Sequence, residues 1–335
     1  MLAVLPHVSA ATHRRHGLHD ASCPWPETNC HTDLFIELIH ALGMEPAAGL
    51  GMTVAQDFEG DQFTFFKMAS DDLQALFGLD VQELSIYRPL VDHVEEQAAR
   101  GRLVLVEVDA HHLPDTQGVT YRSGHSKTTI AINRFDRGNV RLGYFHNAGY
   151  FEIEGTDVEA LLGFGSAEVP ILPPYVEFVK VMRPGLAGPS LRAAALASFA
   201  RHWARRPAQN PVDAFRIALP GHLQRLAGEP QAAFHPYAFN TARQFGANVA
   251  LLGAHLDWLS AQGVEGLEGA AAICTGMAHA MKTFQFLLAR ALARGRSDGL
   301  DAALAAIARD HDRMLALVAA ALDLPRGSLG LRAVS

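Results

Sequence analysis

The chain has 335 residues, 49% of them hydrophobic and 19% charged, with a formal net charge of −7. That is enough apolar material for one large domain or two ordinary ones, and the acidic balance argues against nucleic acid, whose phosphates select a basic surface. Cys23, Cys30 and Cys274 are too few and too scattered for a disulfide framework or a four-ligand zinc site, no apolar run reaches the length of a membrane span, and the basic cluster His13 to His16 follows the short apolar start instead of preceding it, the wrong order for a secretory signal, so the expected setting is a reducing cytoplasm.

Residues 1–19 show no periodicity and read as a loosely ordered arm. The stretch PWPETNCHTDLFIELIHALG (24–43) follows, a proline-bearing lead-in that places Cys30 at the mouth of an amphipathic helix. Leu34, Phe35, Leu38, Ile39 and Leu42 recur at helical spacing and Gly43 closes it. In GLGMTVAQDFEGDQFTFFK (49–67) glycines punctuate a mixed segment that ends in the strand-like Phe63 to Phe66. A capped, acidic first turn opens a short helix over 70–79, VQELSIYRP is extended, and 89–100 is another helix.

The period then changes. LVLVEVDA (103–110) is a β-branched run of strand length, HHLPDTQG is a loop, HSKTTIAINRF (125–135) is a second strand, DRGN (136–139) is a turn and VRLGYFHN (140–147) is a third strand. Five prolines between 168 and 189 mark a linker or edge, in which VEFVKVM (176–182) can add one more strand. From Ser190 onward the chain is rich in Ala and Leu at three-to-four-residue spacing and reads as helices. The fold class is α+β with an antiparallel sheet followed by helices. Its divisions are an arm at 1–19, a catalytic domain at 20–187 and a helical domain at 188–335.

The unpaired N–H groups of a helix start favour a thiolate over a thiol, which makes Cys30 a candidate nucleophile. A thiolate nucleophile needs a base and the base needs an orienting group. His125 opens one strand and Asn147 ends the strand paired with it, so both can lie at one sheet end, provided a bulge or a longer first strand brings them level. Adjacent His111 and His112 with Asp109 and Asp115 lack the spacing of a preformed metal site, so no metal is expected; Asp109 is read as a substrate or supporting contact. No phosphate loop or dinucleotide fingerprint occurs in a convincing context. The basic clusters at Arg201, His202, Arg205, Arg206 and at Arg290, Arg294, Arg296 read as solvated helix faces or as a docking surface for an acidic protein.

Cysteine at a helix start, then histidine on one strand and Asn or Asp on the next, resembles the papain-like cysteine peptidases and the bacteriocin-leader peptidases. LVLVEVDAHHLPDT followed by HSKTTIAINRFDRGNVRLGYFHNAGY is similar to the butirosin-biosynthesis (BtrH-like) acyltransferases over the N-terminal half. WPETNC, DFEGDQFTFFK and YFHNAGY resemble a bacterial family of unknown function associated with genes for amino acid:carrier-protein ligases, over roughly 20–330. The resemblance implies a papain-like fold and a cysteine-dependent acyltransferase or aminoacyltransferase. Such an enzyme takes its acyl group from the thioester of a phosphopantetheinyl carrier protein, holds it on Cys30 and passes it to a small-molecule amine or hydroxyl, with no further cofactor. It implies Cys30 as nucleophile, His125 as base and acid and Asn147 as orienting residue, with His146 as the alternative third member, because the BtrH-like pattern has a carboxylate there. The glutamine that precedes the cysteine in papain-like peptidases is absent, which leaves Gln62 or Gln56 beside backbone N–H groups as oxyanion donors. Asp57, Glu59 and Asp61 are the carboxylates available to recognise an aminoacyl cation. Two alternatives stand beside this reading: a cysteine peptidase or amidase built on the same triad, and a non-catalytic carrier-protein-binding module.

Overall fold

The computed structural model describes residues 1–164, 172–294 and 297–325; Pro170 of the proline-rich segment and Arg296 of the second basic cluster lie outside them. The chain is α+β, as the change of period implies. It divides into two compact units that share the sequence in alternating segments. The first holds residues 1–17, 30–46 and 68–186, the second residues 18–29, 47–67 and 187–335. The expected boundary near 187 lies beside the first long helix, which starts at Gly188. Residues 18–29 and 47–67 depart from it, because their apolar side chains pack with those helices.

The first unit is built on one antiparallel sheet. Its strands are β1 (Leu2–Ala3), β2 (Leu79–Glu83), β3 (Leu103–Asp109), β4 (Lys127–Asp136), β5 (Arg141–His146), β6 (Gly149–Glu154) and β7 (Val176–Val181). The spatial order is β2-β7-β3-β4-β5-β6, with β1 added beside β4. Helix α1 (Cys30–Ala41) packs against β4 and β5, while α2 (Ser70–Phe77) adjoins β2. Helix α3 (Leu90–Ala99) covers β3 and β4, and α4 (Thr156–Leu162) follows β6. Successive residues of a strand point to opposite faces. Val104, Val106, Val108, Ile130, Ile132 and Tyr144 therefore join Val91 and Val94 of α3 in one core, and Leu105, Glu107, Asp109, Thr129 and Ala131 share the other face.

Two expectations change here. Residues 1–19 are not a loose arm. Leu2 and Ala3 pair with Phe135 and Arg134, and Leu5 and Val8 are buried. The ladder of β4 shifts register between Ile132 and Arg134, and Asn133 at this bulge turns its side chain to the arm, accepting from Leu5 N at 2.7 Å and donating to Leu5 O at 3.2 Å. His13 Nε2 lies 2.6 Å from the fully buried Glu37 carboxylate of α1, which also accepts from His16 N. A segment without periodicity can be ordered in this way when its backbone groups are satisfied by side chains of the body. The strand expected at Phe63 to Phe66 is a small hairpin instead, with a single bridge between Phe58 and Phe63.

Gly78 ends α2 at φ +69°, and its N–H bonds to the carbonyls of Gln74 and Leu73. A Cβ there would run into the carbonyl of Arg183. Gly78→Ala is expected to cost at least about 1 kcal/mol, from the left-handed backbone alone. A chemical denaturation midpoint equal to that of the wild type would contradict this.

The second unit is helical: α5 (Gly188–Ala204), α6 (Pro211–Leu226), α7 (Phe234–Ala238), α8 (Gln244–Ala261), α9 (Glu268–Arg294) and α10 (Leu300–Ala321). Phe199, Trp203, Phe215, Phe245, Phe284 and Cys274 lie in its core, together with Val54 and Phe63 from the segment 47–67. The lead-in to Cys30 is anchored in the same unit. Trp25 Nε1 donates to Ala278 O at 3.0 Å, Lys282 Nζ donates to Pro24 O at 2.9 Å, and Gly246 leaves room for the indole, which a Cβ would strike. Among the described residues no helix is long and apolar enough to cross a membrane.

Candidate active site

Cys30 is the first residue of α1, whose apolar stripe Leu34, Phe35, Leu38 and Ile39 is fully buried. Its Sγ is partly buried and lies 3.8 Å from Thr129 Oγ1 on β4. Thr129 faces α1, and Glu107 is its partner across the β3–β4 ladder. The next pair on the same face is Asp109 with Lys127. His125 precedes β4 on the same alternation, and its Nδ1 lies 2.6 Å from Asp109 Oδ2. A carboxylate only accepts hydrogen bonds, so Nδ1 carries the proton and a neutral His125 ring keeps its lone pair on Nε2.

The Asp109 carboxylate is held in place. Oδ1 accepts from His111 N at 3.0 Å and from Ser126 N at 3.2 Å. Its pKa is held down at about 2, first by the hydrogen bond to His125, with burial opposing and the backbone donors assisting. His111 adds support from above. Its ring stacks on His125 with centroids 4.5 Å apart and an 8° interplanar angle, and its Nδ1 donates to Gly124 O at 3.0 Å. Both members of the dyad remain open to a substrate, with His125 the more exposed.

The side chain within hydrogen-bond reach of His125 Nδ1 is Asp109, not the expected Asn147. From Ala131 opposite Phe145, the register carries Asn147 level with Thr129, four residues short of His125. The bulge in β4 is present, but it leaves these two residues unlevel. Asn147 has φ +44° and forms the tight turn between β5 and β6, where His146 pairs with Gly149. A short amide side chain tolerates this left-handed backbone. His146 is not brought to His125 either, for it lies with Thr128 and Tyr144 on the face opposite Cys30. There Nδ1 contacts Asp115 Oδ2 at 2.5 Å, Thr128 Oγ1 lies 2.8 Å from Nε2, and Tyr144 Oη donates to the second oxygen of Asp115 at 2.5 Å. Burial, and then the charge of Asp115, pushes the Tyr144 phenol up, so it stays protonated as a donor.

This buried cluster has a mechanical role. The excursion between Asp109 and His125 is clamped by Asp115 to β5, and again by Asp157 of α4, which accepts from Tyr121 Oη at 3.0 Å and from Arg122. The two ends of a loop so anchored keep a fixed spacing.

The other expected site residues belong to the second unit. Asp57 Oδ1 accepts from Phe58 N, and Glu59 Oε1 accepts from Thr64 Oγ1, so these carboxylates hold the turn of their own hairpin. Asp61 and Gln62 line a shallow pocket with Arg225 and Tyr237, and Gln56 lines a cavity among α5, α6 and α10. Cys274 is packed in the helical core, where burial pushes its thiol up.

No curated protein matches the chain. The DUF1839 N-terminal domain matches residues 14–181 and the DUF1839 C-terminal domain residues 189–320. The first match spans the sheet with Cys30, Asp109 and His125, the second the long helices. With the two matches covering most of its length, the chain belongs to the DUF1839 family.

Proposed function

We propose that the first unit is a papain-like acyl-transfer centre with Cys30 as nucleophile, His125 as base and acid and Asp109 as its orienting carboxylate. The observation that carries this reading is the hydrogen bond from His125 Nδ1 to Asp109 Oδ2, on the sheet face where a helix-start cysteine touches Thr129. Cys30 Sγ lies 3.8 Å from Thr129 Oγ1, four residues along the chain from His125, so the reading requires that the Cys30 and His125 side chains approach each other when substrate binds. Catalytic hydrogen bonds commonly tighten only when substrate is bound.

The chemistry follows from these roles. His125 Nε2 accepts the Cys30 proton, and the thiolate adds to the carbonyl of an acyl or aminoacyl thioester presented on a phosphopantetheinyl carrier protein. As the intermediate collapses, the carbonyl–sulfur bond to the carrier breaks and the departing sulfur takes the proton from His125. The Cys30 thioester is then attacked by an amine or hydroxyl, which gives its proton to His125; the acyl–sulfur bond of Cys30 breaks and the thiol is restored. Backbone N–H groups at the start of α1 are the natural donors to the oxyanion. The similarity to the butirosin-biosynthesis acyltransferases and to the family associated with carrier-protein ligases favours transfer over hydrolysis.

The test is intact-mass analysis after mixing the full chain with an aminoacyl carrier protein. An adduct of one aminoacyl group on Cys30 is expected, absent in Cys30→Ala and released by an added amine. No adduct in the wild type would remove the acyltransferase reading. Release of amine from simple peptides without transfer to acceptors would move the assignment to a cysteine peptidase or amidase.

A further inference from the structure

The two basic clusters differ in what their arginines already do. Arg206 of the first is buried, with its guanidinium 3.4 Å from the centre of the Trp203 ring and Nη1 donating to Trp203 O. Arg290 and Arg294 of the second stand exposed on α9, and neither has an ion-pair, hydrogen-bond or ring partner among the described residues.

The composition of α9 makes these cations unusual. From Gly269 to Arg294 the helix contains no aspartate or glutamate, and its charged residues are Lys282, Arg290 and Arg294, in a chain whose net charge is −7. A helix face meant only for solvent commonly alternates charges of both signs. Residues four apart form one ridge along a helix, and the ridge through these cations is Lys282, Phe286, Arg290 and Arg294. Phe286 is 67% exposed on it. The core is served by other side chains of α9, among them Met277, Met281, Phe284 and Leu288, all buried. The ridge begins at the lead-in segment, where Lys282 Nζ donates to Pro24 O at 2.9 Å and lies 5.7 Å from the centre of the Trp25 ring.

Arginine and aromatic side chains are the types that protein interfaces concentrate. One exposed ring is too little apolar surface for a helix to lie in a bilayer, which takes a broad apolar face, and the acidic chain as a whole disfavours nucleic acid. Cations spaced along one ridge beside an aromatic anchor complement a protein surface that carries carboxylates around an apolar side chain.

We propose that the ridge of Phe286, Arg290 and Arg294 docks an acidic protein and, resting on the acyl-transfer reading above, that this protein is the carrier presenting the thioester. Arg290 and Arg294 meet its carboxylates, and Phe286 meets an apolar side chain beside them.

The experiment measures two quantities on the full chain: binding of a fluorescently labelled, negatively charged alanyl carrier protein by anisotropy, and acylation of Cys30 by intact mass. Both are repeated with the double variant Arg290→Glu, Arg294→Glu and with Phe286→Ala, all at exposed positions. Saturable binding is expected, weakened at least about tenfold by the charge reversal, at least about threefold by Phe286→Ala, and progressively by added salt. Acylation from the carrier should fall in step. Acylation by a small alanyl-pantetheine thioester, which needs no docking, should stay within about twofold of wild type. No saturable binding up to about 1 mM carrier, the weak end of specific association, would overturn the proposal. Binding unchanged in both variants would do the same, as would binding to mixed phosphatidylserine and phosphatidylcholine vesicles in place of the carrier. The two readings fail separately. Cys30 acylated from the carrier equally in wild type and variants removes the docking ridge and keeps acyl transfer. Variant-sensitive carrier binding with no Cys30 adduct from either donor removes acyl transfer and keeps the ridge as a surface for an acidic protein.

Discussion

Asp109→Asn is expected to slow acylation of Cys30 by roughly a hundred- to ten-thousand-fold, the range lost when a catalytic histidine is left without its orienting carboxylate. An amide in place of the carboxylate can present its N–H₂ to Nδ1 and stabilise the tautomer with the proton on Nε2. That ring cannot accept a proton from the cysteine. Asn147→Gly is the contrasting substitution. Glycine adopts φ +44° without strain, so this change should leave the rate within about threefold of wild type if Asn147 serves only its turn. Single-turnover acylation followed by intact mass measures both. A large loss in Asn147→Gly with little in Asp109→Asn would return the third position to Asn147. The acid behaviour follows from the same pair. Asp109 is held at about 2, below the value of about 3.9 in an unfolded chain. Its pairing therefore contributes stability above about pH 4, and that contribution is lost as the pH falls through about 2. An acid limb in the rate above pH 4 would have to arise from a group other than Asp109.

Asp115→Ala should produce the largest loss of stability. The substitution leaves two donors, Tyr144 Oη and His146 Nδ1, with no acceptor in a region where His146 is 1% exposed. Each stranded buried group costs about 1–3 kcal/mol, so a total of about 2–6 kcal/mol is expected. Hydrogen exchange of the β4 and β5 amides under native conditions reports on this sheet separately from the helical unit. A loss below about 1 kcal/mol would mean that the cluster relaxes or hydrates and does not clamp the loop. Because that loop joins Asp109 to His125, acylation should slow as well, even though Asp115 lies on the far face of the sheet.

These two predictions also mark what could be read from residues and what could not. The β-branched run Leu103 to Asp109, the strands on either side of the 136–139 turn and the amphipathic helix after Cys30 follow from local pattern, and all are present. Strand β6 is not legible because Gly149 to Glu154 follows β5 after a two-residue turn, and Asn-Ala-Gly reads equally well as the end of a strand. The order of the N-terminal arm rests on distant side chains, Asn133 and Glu37, which no local period reveals. The neighbour of His125 is legible from alternation. Val104, Val106 and Val108 already assign Glu107 and Asp109 to the opposite face, and counting back from Thr129 assigns His125 to it as well. Strand order in the resemblance points to Asn147, whereas alternation points to Asp109, a carboxylate on the strand at the other side of β4.

The alternating use of the sequence by the two units has a consequence for synthesis. Trp25, Phe58 and Phe63 leave the ribosome early, yet Phe58 and Phe63 pack against Phe215 and Phe245, and Trp25 is held by Ala278 and Lys282 of α9. Phe63 and Phe215 are 152 residues apart in the chain. At roughly 5–20 residues per second, the earlier rings wait on the order of ten to thirty seconds for their partners. During that interval the sheet can form around a segment whose apolar side chains have no place to go. Nascent-chain aggregation, and relief of it by holding chaperones, should therefore begin once residue 67 has emerged and end only when α9 is made.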